Sequence, residues 1–189
     1  MHLIDRINDK EENALIELMN MYGDYLLRTA YLLLEDHQLA EEVVQDTFII
    51  AFEKGHQLGD PDKLKSWLTT IVINRCRSQM RKWSWKNIVP AFDWVKEEAY
   101  NQTPEVELLA VIDNQNVSKA IQTLDYKYRE VITLFYFNEL KISEIACQIK
   151  TKETTIKSRL KRGRMLLGKI LEKGEGVVEA GERKIKKST

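Results

Sequence analysis

Between residues 11 and 34, apolar side chains recur at Leu15, Leu18, Tyr22, Leu26, Ala30 and Leu33. A spacing of three or four is the period of one helix face, so the stretch predicts a long amphipathic helix. Asp36 then offers a cap, and a second helix is predicted over 37–53, with Leu39, Val43, Phe48 or Thr47, and Phe52 or Ile50 turned inward. "KGHQLGDPDK", 54–63, holds two glycines and a proline and reads as a loop. A third helix follows over 63–83, with Leu64, Trp67, Leu68, Ile71 and Cys76 as core positions. From 84 to 112 the period fades and two prolines intervene, which predicts a linker with short helical pieces.

The helical period then returns. "NVSKAIQTL" is one helix, "YKYREVITLFYF" a second with Asp125 as its cap, and "ISEIACQI" a short third. "KTKE" is a turn, and 154–172 is a last long helix. The tail 173–189, rich in Gly and Lys, reads as flexible. Alternating Val/Ile/Thr runs bounded by turn residues are absent from the sequence. The predicted fold class is all-α: two small helical domains, 1–83 and 113–172, joined by a flexible linker, 84–112, the second domain being a helix-turn-helix.

A length of 189 residues suits one medium domain or two small ones. No run approaches the roughly 18–20 apolar residues of a membrane span, so no membrane insertion is expected. The opening "MHLIDRINDKEEN" is polar and acidic, unlike a secretory leader. Cys76 and Cys147 lie far apart and suggest no disulfide framework; buried, reduced thiols in a cytoplasmic protein are expected, with a redox role as the alternative. These cysteines and the three histidines show no metal-ligand spacing, and no cofactor is expected. No phosphate loop, metal cluster or triad-like set points to an enzyme.

The formal net charge is zero, but it is an average over blocks. Residues 1–62 carry 4 basic and 14 acidic side chains, and residues 63–92 carry 7 and none. Residues 93–140 carry 4 and 9, and residues 141–189 carry 14 and 6. A polyanion responds to local potential rather than to the total.

The most basic stretch is "TTIKSRLKRGR", 154–164, with five basic residues and no acidic one. At about 100° per residue, Ile156, Leu160, Gly163 and Leu167 share one face. Ser158, Lys161 and Arg162 take the opposite side with Thr154 and Thr155, while Lys157, Arg159 and Arg164 flank. A short helix and a turn precede it, as in a helix-turn-helix. In a major groove the central side chains would reach base edges and the flanking ones phosphates. Thr151 to Thr154, at the helix N-terminus, would favour a phosphate. The alternative is a charged solvent face on a core helix.

"YREVITLFYFNELKISEIACQIKTKETTIKSRLKRGR" resembles the C-terminal domain of the extracytoplasmic-function (ECF) sigma factors of bacterial RNA polymerase. "LAEEVVQDTFIIAFEK" with "LKSWLTTIVINRCRSQMRK" resembles their N-terminal domain. The resemblance covers roughly 11–172. It departs at the helix-turn-helix turn, where Lys150 stands for a frequent Gly, Lys152 for Pro and Thr154 for Gly, and at Asp125, which stands for Pro.

The resemblance implies a specificity subunit without chemistry of its own. Its partners would be core polymerase (the β′ coiled coil and the β subunit), promoter DNA and an anti-sigma factor. It implies −35 readout by Thr155, Lys157, Ser158, Arg159, Lys161, Arg162 and Arg164. It implies −10 binding by Lys63, Lys65, Asn74, Arg75, Arg77, Arg81 and Lys82, with loop 54–63 receiving a flipped base. It implies polymerase binding by Glu41, Glu42, Gln45 and Asp46, for which a solvated face is the plain alternative. Trp83 and Trp85 would stack on bases or pin the linker. The acidic linker 93–107 would be a solvated tether. A stand-alone helix-turn-helix regulator using 113–172 alone is the competing function.

Overall fold

The computed structural model describes the backbone over residues 2–86 and 115–185, and side chains over 2–82 and 117–172. The described elements are helical throughout. The chain divides into two compact units, residues 1–94 and 95–189. Linker residues 87–112, the side chains of Trp83 and Trp85, and the acidic tether lie outside the described residues.

The first unit contains α1 (Leu3–Asn8), α2 (Glu12–Leu34), α3 (His37–Lys54) and α4 (Leu64–Lys86). Its core is built from Leu18, Leu26, Ala30 and Leu33 of α2, Val43, Phe48 and Ala51 of α3, and Leu64, Leu68, Val72, Ile73 and Cys76 of α4. Each fully buried Leu or Ile contributes about 1.5–3 kcal/mol. Leu15 and Tyr22, predicted inside, are half-buried, as are Leu39, Phe52 and Ile50. Asp36 caps α3, its Oδ1 accepting the Leu39 N–H at 3.0 Å.

α1 has no counterpart in the periodicity. It packs Ile4 and Ile7 into the core end, against Gly55. A Cβ on Gly55 would lie 2.6 Å from Asn8 Oδ1 and 3.2 Å from both isoleucines, so a side chain there would have to displace Asn8 and press on Ile4 and Ile7. Arg6 bonds Glu11 at 2.8 Å and Glu17 at 2.7 Å, and Lys10 donates to the Phe52 carbonyl near the end of α3. The segment 55–63 is not irregular: Gly55–Gln57 and Pro61–Lys63 form single 3₁₀ turns, the second capped by Asp60.

The second unit contains α5 (Gln115–Gln122), α6 (Tyr126–Ile132), α7 (Ile142–Gln148) and α8 (Glu153–Ile185). α6 continues into a widened π-type segment, Thr133–Phe137, closed by the Asn138 N–H on the Thr133 carbonyl at 3.0 Å. α8 runs through residues 173–185, where the glycines predicted a tail.

Asp125 stands at the start of α6 but makes no side-chain cap bond. Its φ of −51° lies close to the value a proline ring imposes, and its carbonyl accepts from Tyr128 and Arg129. Backbone conformation, not the carboxylate, starts the helix. A Cβ on Gly163 would lie 3.0 Å from Ile132 Cγ1, so α8 crosses α6 closely at that glycine.

Candidate nucleic-acid and polymerase interfaces

The helix-turn-helix comprises α7, its turn and the start of α8. Lys150 holds φ 53°, the left-handed conformation usually left to glycine. Its N–H bonds the Cys147 carbonyl at 3.3 Å, and Thr151 N–H bonds the Ala146 carbonyl at 2.9 Å. These are the two bonds of a Schellman closure. The turn geometry is therefore kept without glycine, at a cost of about 1–2 kcal/mol. Lys150→Gly is expected to stabilise this unit by about 1 kcal/mol, read as a raised urea midpoint.

On α8, Ile156, Leu160, Gly163 and Leu167 are buried, as their spacing predicts. Ser158 and Lys161 are exposed, and Arg162 is half-buried with Nη1 at 3.9 Å from Met165 Sδ. Ser158 Oγ donates to the Thr154 carbonyl at 3.0 Å. Lys157 is exposed and Arg159 half-buried. Arg164 turns back: its Nη1 donates to the Tyr136 hydroxyl at 3.3 Å. Thr155 lines an open cleft with Ala146, Cys147, Lys150, Thr151 and Lys152. Cys147 is thus exposed, against the expectation of burial, because Ile145, Ala146 and Ile149 take the inward positions around it; Cys76 is buried, and neither is in a disulfide.

Arg129 carries the buried polar chemistry of this unit. It is 4% exposed, its Nη1 donates to the Gln122 carbonyl at 2.8 Å, and its guanidinium lies 5.7 Å from the Tyr126 ring. Burial pushes its pKa down to about 10, so it stays charged at neutral pH. Glu130 beside it is also buried and accepts from the Tyr126 hydroxyl at 3.2 Å.

α4 sorts its candidates by helix phase. Asn74, Arg77 and Arg81, at spacings of three and four, share one strip with Thr70 and Trp67. Trp67 is half-buried on that strip rather than in the core, where Val72 and Ile73 stand instead. The remaining candidates point elsewhere. Arg75 Nη1 lies 3.9 Å from Asp46 Oδ2 of α3. Lys63 pairs with Asp60 at 3.3 Å, and Lys65 Nζ sits 4.5 Å from the Tyr25 ring centroid. Lys82 is exposed.

On α3, Glu41, Glu42, Gln45 and Asp46 are all exposed, with Glu41 3.3 Å from His37 Nδ1. Ile49 continues the strip and is 55% exposed. It is absent from the sequence-level candidates, although an apolar residue in phase with Glu42, Gln45 and Asp46 is a readable signal. Among the described residues, no group of three or more His, Cys, Asp or Glu could hold a metal ion, and no helix is long and apolar enough to cross a membrane.

Both units match known families. Residues 18–86 match the model for Sigma-70 region 2, and 114–167 the model for Sigma-70, region 4. The sigma factor RpoE of Bartonella quintana, solved with the anti-sigma factor NepR, is 30% identical, with a TM-score of 0.59 over 82% of this chain and 97% of that one. The chain belongs to the ECF sigma factors. ECF RNA polymerase sigma factor SigW of Bacillus subtilis is 26% identical over 181 residues, covering 89% of this chain and 94% of SigW. SigM of the same organism is 29% identical over 162 residues, covering 84% and 95%. CnrH, solved with the cytosolic domain of CnrY, shares the fold at 22% identity and a TM-score of 0.59.

As an ECF sigma factor the chain is an RNA polymerase initiation factor. A stand-alone regulator using only the second unit is not favoured, because the region 2 match places the first unit in the same family.

Proposed function

We propose that this sigma factor grips core polymerase through α3 and promoter DNA through α4 and α8. The observation that carries the reading is the arrangement of the first unit. An acidic strip (Glu42, Gln45, Asp46) and a basic, amide-bearing strip (Asn74, Arg77, Arg81) stand on neighbouring helices of one small bundle. The acidic strip suits a basic partner surface, where complementary charge raises on-rate and fixes register. The second strip suits a melted strand: cations follow phosphates, and the Asn74 amide pairs donor and acceptor with a base edge. Lys157, Ser158, Lys161 and Arg162 of α8 read the −35 element, with Thr155, Lys150 and Lys152 along a phosphate. The first unit extends from residue 1 to about 83 and the second from about 113 to 172. The protein works in the cytoplasm and catalyses no reaction itself. An anti-sigma factor holds it inactive, by analogy with the solved relative bound to NepR.

Co-purification with core polymerase, followed by run-off transcription on candidate promoters, tests this reading; absence of core binding overturns it. Ile49 is the apolar centre of the α3 strip, ringed by polar groups as interface anchors are. Ile49→Ala is expected to weaken core capture by about 1.5 kcal/mol, roughly tenfold, without moving the thermal midpoint, since the side chain is largely exposed already. Titrating labelled protein with core enzyme checks it.

A further inference from the structure

We propose that the Asp46–Arg75 ion pair is an exchange contact that couples polymerase binding to DNA binding; it rests on the assignment of α3 to polymerase and α4 to DNA. Asp46 stands on the exposed strip of α3, with Glu42 one turn before it. Arg75 stands on α4, one residue after Asn74, and therefore about 100° around the helix from Asn74 and about 120–160° from Arg81 and Arg77. Its Nη1 is 3.9 Å from Asp46 Oδ2. The two side chains are 45% and 51% exposed, so neither is locked in place and each is within reach of an outside partner.

In the free protein the carboxylate of Asp46 lies within ion-pair distance of the guanidinium, which without it would be open to a backbone phosphate. It also lowers the local positive potential next to the strip. A basic group on the polymerase that takes Asp46 withdraws that carboxylate. Arg75 then swings to a phosphate, where Arg is suited to a forked, charge-assisted contact. Each ligand removes the partner that competes with the other, so the coupling is positive and reciprocal. An exposed pair of this length shifts an equilibrium only about two- to fivefold, which suits a bias on binding order rather than an absolute gate.

The experiment measures the full-length protein, without polymerase, binding a labelled mixed-sequence single-stranded 12-mer by fluorescence anisotropy at low salt. Asp46→Asn and Glu42→Gln remove the same charge one turn apart on one helix. Asp46→Asn is expected to tighten binding about two- to fivefold more than Glu42→Gln does. In an Arg75→Gln background the two substitutions are expected to act alike. With core polymerase added to saturation of each variant, the difference between them is expected to vanish even with Arg75 present. Equal gains in the core-free protein, or a difference that survives in Arg75→Gln, overturn the exchange while leaving polymerase binding intact. Failure of the wild-type chain to capture core polymerase overturns the assignment of α3 itself, and with it the exchange.

Discussion

Arg129→Ala is expected to unfold the second unit under conditions that leave the first one folded. Arg129 is buried at 4% exposure and donates to the Gln122 carbonyl at 2.8 Å. That carbonyl ends α5, where the last turn has no helical donors of its own. The substitution strips this partner from a part-buried carbonyl and removes a buried, packed side chain. Losing a hydrogen bond from a charged donor costs about 1.5–3 kcal/mol, and the truncated arginine stem leaves a cavity beside it. A helical unit of this size has a core worth only about 3–5 kcal/mol of net stability, so the loss is comparable to the whole. None of the four tryptophans falls in the second unit, residues 95–189. Trp fluorescence thus carries no direct signal from that unit, while far-ultraviolet circular dichroism follows both. The variant is expected to show an early dichroism transition with no matching fluorescence change. Coincident transitions at the wild-type midpoint would falsify this account of Arg129.

The stripes of α2 and α8 were legible because a buried face repeats every three or four residues over several turns. Ile4 and Ile7 supply only one such interval in six residues, too little to announce α1. Its docking depends on Gly55, nearly fifty residues away, and on the space that glycine leaves. The widening at Thr133–Phe137 leaves no trace in the pattern. The helical course of α8 past residue 172 runs against Gly174, Gly176 and Gly181, each a weak helix former worth about 1 kcal/mol.

The candidate sites show the same division. Residue type and spacing placed the basic candidates on α4 and α8, apart from Lys63, which stands in the 3₁₀ turn before α4. What each cation faces depends on neighbouring helices that the local sequence does not specify. Arg164 meets Tyr136, Arg75 meets Asp46, and Lys65 lies over Tyr25. These contacts take three of the predicted DNA ligands out of the plain outward strips. Lys150 went the other way: a departure from the expected glycine proved compatible with the turn, because two backbone bonds hold it there.

Arg162 and Lys157 should separate base readout from phosphate attraction on α8. Arg162 lies on the side opposite Ile156 and Leu160, and its one described contact, to Met165 Sδ at 3.9 Å, is weak enough to give up. A forked contact from arginine to guanine contributes about 1–3 kcal/mol of discrimination. Arg162→Ala is therefore expected to weaken holoenzyme binding at the preferred −35 sequence by about 10- to 100-fold while weakening mismatched sequences much less. Lys157 is exposed on the flank. Lys157→Ala is expected to weaken all sequences alike and to reduce the salt slope by about one. Both are measured with holoenzyme on a panel of −35 variants across a salt series. Arg164→Ala serves as the internal comparison: with its guanidinium on Tyr136, its loss is expected to fall on stability before sequence preference. An Arg162→Ala protein that keeps the wild-type order of preference would place the base-reading face elsewhere on α8, with Ser158 and Lys161 as the next residues to test.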